Sequence, residues 1–133
     1  MSVLKYTEAN FTTLDIAKHD RCASVISHVP HVAAAALVTL LNRSQGDMES
    51  CLKLAGGGFK DTTRIASSNA DMWADICMTN SGNIAASLDE LAGVLTEAAR
   101  LVRAGDRNGI HAYFIKAKSV RNTLLSQEKG VRE

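Results

Sequence analysis

The sequence is short of several things, and each shortage closes off a class of function. There is no excess of either charge: 15 basic residues stand against 14 acidic ones, a net charge of +1. The basic residues are scattered, and three Phe, two Tyr and one Trp leave little for stacking bases, so nucleic acid is excluded as a partner. Three widely spaced cysteines, Cys22, Cys51 and Cys77, form no CxxC pair, which excludes a zinc knuckle or a redox dithiol. Their apolar neighbours point to buried, reduced thiols in a reducing compartment. The N-terminal MSVLKYTEAN has no apolar core and is no signal peptide. The longest nearly apolar run, Val29 to Leu41, is too short for a bilayer, so no membrane and a cytoplasmic setting are expected. No glycine precedes Gly46, so there is no GxGxxG fingerprint and no cofactor site is expected in this chain.

What remains is an ordinary soluble composition, 46% hydrophobic and 22% charged, in a chain long enough for one hydrophobic core. A single proline and long apolar sets at three–four spacing predict an all-α fold. Residues 1–13 read as a loose lead-in, 14–127 as the helical domain and 128–133 as a frayed tail. From about Leu14 an apolar stripe runs through Cys22, Val25, Ile26, Val29, Ala33, Leu37 and Leu41. Pro30 lies inside it, lacks a donor and crowds the Ile26 carbonyl, which predicts a kink or a break. A loop at 42–47 precedes a short helix over Met48–Ala55. Ser68 is the expected cap of the next helix, with Asp71 in its first turn. Its stripe continues to Ala104, where Gly105 reads as the closing residue and Asp106 as the next cap. A last helix reaches about Gln127. If Asn69–Ala104 were one helix it would be about 54 Å long, against a radius of gyration of about 14 Å for a compact chain of this size. A helix that overhangs its own domain needs a second apolar partner, most simply another copy of itself, as in an intertwined homodimer. The alternative is a break at the helix-poor stretch Asn80 to Asn83.

Two segments carry candidate chemistry. Ser27-His28-Val29-Pro30-His31 places two imidazoles one helical turn apart beside the proline irregularity. No acidic or thiol ligand stands at the spacing needed to complete a metal site, so none is expected. Gly56-Gly57-Gly58 precedes a brief predicted helix, Phe59 to Ala66, that puts Lys60 and Arg64 on one face. An anion could neutralise them, with Arg64 as a forked donor for a carboxylate and the glycines allowing close approach to the backbone. A plain glycine cap with an Asp61–Arg64 pair accounts for the same residues, and spacing leaves both open. Trp73, among Met72, Ile76 and Cys77, reads as core.

Taken in order, these pieces resemble the C-terminal helical domain of prephenate (or arogenate) dehydrogenases. The residues that match are His19-Asp20-Arg21, Ser27-His28-Val29-Pro30-His31 and Gly56-Gly57-Gly58-Phe59-Lys60-Asp61-Thr62-Thr63-Arg64-Ile65-Ala66-Ser67-Ser68. Met72-Trp73, Asp75-Ile76, Asn80 and Ala104-Gly105-Asp106 follow in register, so the likeness runs from about Asp15 to Gln127.

The resemblance implies a two-domain enzyme that oxidatively decarboxylates prephenate to 4-hydroxyphenylpyruvate with NAD or NADP. It implies that the helical domain forms a homodimer and closes the pocket for prephenate, or an arogenate-like dicarboxylate, against a Rossmann domain. By matching position, Arg64 would bind the ring carboxylate. Ser27, His28 and His31 would line the pocket, Gly57 and Asp61 would shape it, and Trp73 would lie at its edge, reaching it from the partner subunit. The family's catalytic histidine belongs to the Rossmann domain, so no catalytic residue is expected here. The chain reads as a fragment, an expressed domain or a naturally truncated protein that is inactive alone. A free-standing helical dimer that senses an aromatic or anionic small molecule is the competing reading.

Overall fold

Asp15 opens the first helix: its carboxylate accepts the Lys18 N–H at 2.9 Å, one of the donors a helix start leaves unpaired. In this computed structural model, residues 12–43 and 48–129 are described. The expected lead-in therefore lies outside them up to residue 11, as do most of the 42–47 loop and the tail from residue 130. The helices are α1 (Ile16–Ala23), α2 (Val29–Arg43), α3 (Met48–Leu54), α4 (Gly57–Thr63), α5 (Ala70–Thr79), α6 (Ser81–Arg103) and α7 (Arg107–Lys129). A π-helical turn, Ser24–His28, joins α1 to α2, and a 3₁₀ turn, Arg64–Ser67, follows α4. Among the described residues there is no strand.

Pro30 does not break its helix. The widened turn upstream, closed by the Val29 N–H on the Ser24 carbonyl, takes up the irregularity, and helix runs on from Ile16 to Arg43. That 28-residue run, with a mean hydropathy of 1.6 in its most apolar window, is long and apolar enough to cross a membrane. The shorter run read from the sequence underestimated it, because helix continues through the π turn. Its middle is nevertheless fastened by polar contacts. Ser24 is wholly buried, its Oγ donating to the Asn83 carbonyl at 3.0 Å and lying 2.7 Å from Ser87 Oγ.

The long downstream helix is two helices. Asn80, at φ −117° and ψ 33°, interrupts it between α5 and α6, so the continuous 36-residue span does not form. Asn69, not Ser68, caps α5, accepting the Met72 N–H at 2.9 Å, while the Ser68 hydroxyl donates back to Ile65. Gly105 closes α6 at φ +61°, and Asp106 caps α7 through the Gly109 N–H, both as expected.

The chain forms two compact units, Met1–Leu88 and Asp89–Glu133. In the first, α2 packs against α3, α4 and the 3₁₀ turn. Among the described residues the buried apolar set is small: Val29, Ala34, Ile84 and Leu101. The stripe expected to be core is largely open, with Val25 at 59%, Ile26 at 77% and Leu37 at 40% exposure. No cysteine is buried: Cys22 is exposed, Cys51 and Cys77 are half-buried, and all three are free. The expectation of buried thiols fails for the same reason as the expectation of a covered stripe. The apolar faces that carry them are not closed within one chain.

Candidate functional site

The π turn and α2 deliver both imidazoles to one side of the first unit, where α5 brings up Trp73. The His31 ring stacks on the indole with centroids 3.8 Å apart and planes at 25°, and His28 meets its edge at 6.2 Å and 75°. Trp73 is thus a platform between the two histidines, beyond the core role its neighbours suggested. Its Nε1 is buried without a hydrogen-bond partner among the described residues. A buried, unpaired N–H costs about 1–3 kcal/mol, which marks the position as one not settled by packing alone.

The two rings are held differently. His31 Nδ1 lies 2.9 Å from the Ser27 carbonyl, which can only accept, so that nitrogen carries a proton. His28 Nδ1 lies 3.4 Å from the Asn80 amide nitrogen, which can only donate, so a hydrogen bond there requires a bare ring nitrogen. The contribution of Ser27 is therefore its backbone carbonyl, and its residue is exposed.

The rings also open onto different clefts. His28 lines one of about 460 Å³ with Asp20, Met72, Asp75, Thr79 and Asn80. His31 and Trp73 line another of about 220 Å³ with Ile65, Ala66, Ser68 and Cys77. Arg64 lines neither cleft, although its neighbours Ile65 and Ala66 form a wall of the second. The shared cradle anticipated for Arg64 and the imidazoles is thus not closed by one chain.

Around the glycines the structure is simpler than expected. Gly57 and Gly58 form the first turn of α4 after an extended Gly56, and none of the three has a positive φ. A Cβ at Gly56 or Gly58 would meet nothing within 4 Å, and at Gly57 only Asp61 Oδ2 at 3.9 Å. The fold of this chain therefore does not require glycine there. Among the described residues Lys60, Asp61 and Arg64 form no ion pair, so the plain Asp61–Arg64 pairing is absent and the guanidinium is exposed. No metal-ligating cluster is present among the described residues.

Asn80 and Asp20 were not singled out as site residues by sequence reasoning. An asparagine in the middle of a long apolar periodicity was the available signal, since its side chain competes with helix for the backbone.

Comparison with known proteins fits this arrangement. The family model described as "Prephenate dehydrogenase, dimerization domain" matches residues 15–116. Prephenate dehydrogenase of Bacillus subtilis is 37% identical over 129 residues, 97% of this chain and 35% of that protein. That of Lactococcus lactis is 30% identical over 122 residues, 92% of this chain and 34% of its own length. The chain thus spans about a third of the curated relatives it matches. Among solved structures, Synechocystis arogenate dehydrogenase shares the fold at TM-score 0.86 and 22% identity, over 92% of this chain and 45% of that one. Prephenate dehydrogenase of A. aeolicus, solved with hydroxyphenyl propionate and NAD+, aligns at TM-score 0.76 and 32% identity, over 84% of this chain and 39% of that one. With the family model covering residues 15–116 and two relatives at 30% identity or more along nearly the whole chain, this chain belongs to the prephenate dehydrogenase family, as its dimerization domain.

Proposed function

We propose that this chain is the substrate-binding and homodimerising half of a prephenate or arogenate dehydrogenase. The complete enzyme oxidatively decarboxylates prephenate to 4-hydroxyphenylpyruvate in tyrosine biosynthesis, in the cytoplasm. The observation that carries the reading is the exposed guanidinium of Arg64, unpaired beside Asp61 and adjoining the wall of the His31–Trp73 cleft. Such a group suits one carboxylate of a dianionic substrate through two parallel N–H donors. His28 and His31 offer further polar contacts, and the bare turn at Gly57, flanked by the Asp61 carboxylate, lets another body approach the backbone. The carboxylate that departs as carbon dioxide must not be held harder in the ground state than in the transition state, so Arg64 serves binding and orientation.

The residues described here do not fit a dinucleotide: no strand is present among them, and no glycine precedes Gly46. NAD or NADP is therefore assigned to a Rossmann domain that closes over this one. The open apolar faces of α2, α6 and α7 suit a second copy of the chain, whereas Trp73, expected from the partner subunit, reaches the pocket from its own chain through the stack on His31. Calorimetric titration with prephenate and 4-hydroxyphenylpyruvate tests the binding half. Adding a separately expressed nucleotide-binding domain from a relative tests the catalytic half, and no turnover under any ratio of the two parts would count against the assignment.

A further inference from the structure

Asn80 sits where α5 gives way to α6, and its amide is oriented at both ends. Asn83 Nδ2 donates to its Oδ1 at 2.7 Å, and its own Nδ2 donates to the Asp20 carbonyl at 2.8 Å. A carbonyl cannot donate, so the NH₂ end must be the one facing Asp20. Its second hydrogen is then directed to His28 Nδ1, at 3.4 Å. The Asp20 carbonyl also receives the Ser24 N–H at the entry to the π turn. Break and bulge are therefore linked: the last turn of α1, just ahead of the π turn, presents a carbonyl, Asn80 grips it, and the leftover N–H meets the ring of His28 at the end of the π turn.

We propose that Asn80 is a positioning residue that holds His28 in the tautomer with a bare Nδ1 and a protonated Nε2. This makes His28 a hydrogen-bond donor toward its cleft. Two carboxylate-bearing residues, Asp20 and Asp75, line the same cleft, and the Asp20 carboxylate is engaged by the His19 ring at 3.0 Å. A hydrogen-bond donor set beside two acids suits an uncharged acceptor oxygen, a ketone or a hydroxyl, rather than a further carboxylate, which those acids would repel. His31, whose Nδ1–H donates to the Ser27 carbonyl, has the complementary polarity. The two imidazoles are thus not interchangeable. The ligand class rests on the proposed function; the tautomer does not.

The test is a long-range ¹H–¹⁵N spectrum of the histidine rings in the ligand-free chain, with calorimetry against 4-hydroxyphenylpyruvate. In the unaltered chain His28 shows a bare Nδ1 and a protonated Nε2. Asn80→Ala mixes the tautomers and weakens binding about five- to tenfold, the equivalent of one hydrogen bond. Ser87→Ala, which cuts the same polar cluster without reaching His28, lowers stability but leaves tautomer and affinity alone. A protonated Nδ1 in the unaltered chain, or a folded Asn80→Ala protein with an unchanged His28 spectrum, overturns the proposal. If Asn80→Ala fails to fold, the spectrum of the unaltered chain decides. Failure of the unaltered chain to bind the keto acid would count against the proposed function and leave the spectral result standing.

Discussion

Ser24→Ala is the substitution whose cost the structure fixes best. Ser24 is 0% exposed, and its hydroxyl donates to the Asn83 carbonyl, so the proton in the 2.7 Å contact with Ser87 must come from Ser87. Two bonds run through one oxygen, and alanine removes both. At about 1 kcal/mol net each the gross loss is about 2 kcal/mol. Asn83 is four residues before Ser87, so the freed Ser87 hydroxyl can turn to that same carbonyl and restore part of it. The expected loss is about 1.5 kcal/mol, or roughly 5 °C in melting temperature for a domain of this size. Ser87→Ala breaks a single bond and should cost about half as much. The double variant should cost less than the two added together, because their shared bond is counted twice. Urea unfolding at one fixed chain concentration measures all three, the concentration being held because a dimer's stability depends on it. A loss below about 0.5 kcal/mol for Ser24→Ala, or a larger loss for Ser87→Ala, would show that this cluster does not hold the π turn to α6.

Three further outcomes follow from the same geometry. Arg64→Ala should weaken prephenate binding by about 10- to 150-fold while changing the unfolding free energy by less than about 0.5 kcal/mol, since no group among the described residues pairs with it; comparable losses in both would point to a structural role. Gly58→Ala adds a methyl in open space on a helical backbone, so the chain should gain about 0.5–1 kcal/mol in thermal denaturation. In the two-part activity assay the same variant should turn over more slowly, and an unimpaired rate would remove the case for close approach at this turn. Gly105→Ala must hold a side chain at φ +61° and should cost about 1 kcal/mol, read by the same melts.

The sequence discloses those features whose cause is local. Gly105 and Asp106 were readable because a helix end needs a left-handed residue and the next start needs an acceptor, whatever surrounds them. Ser68 and Asn69 are equally good caps on local grounds, and the choice of Asn69 became visible only with the Ser68 hydroxyl turned back to Ile65. At Pro30 the sequence showed that something must give, not what. The π turn depends on Ser24 and Asp20 finding partners about sixty residues away, in Asn83 and Asn80. The break at Asn80 has the same origin, since an asparagine leaves a helix more readily when its amide has another carbonyl to hold. At the site, residue types and order pointed to His28, His31 and Arg64. The Trp73 stack and the Asn80 contact are distances between segments, which periodicity does not contain.

The burial pattern assigns different states of readiness to the two kinds of site residue. His28 and His31 are oriented from within the chain, each by a partner that fixes one ring nitrogen before any ligand arrives. Arg64 and the glycine turn are supported by nothing comparable: the guanidinium has no acidic partner among the described residues, and the glycines fill no space. Ordering a long exposed side chain costs up to about 2 kcal/mol of rotamer entropy, which an unliganded Arg64 has not yet lost. That cost falls on the binding step unless a second surface restrains the arginine first. A subunit or nucleotide-binding domain closing on α4 would do so, and it would also explain why the turn there is bare. On these grounds, affinity for a carboxylate should depend on what covers this chain, while the polarity of the two imidazoles should not.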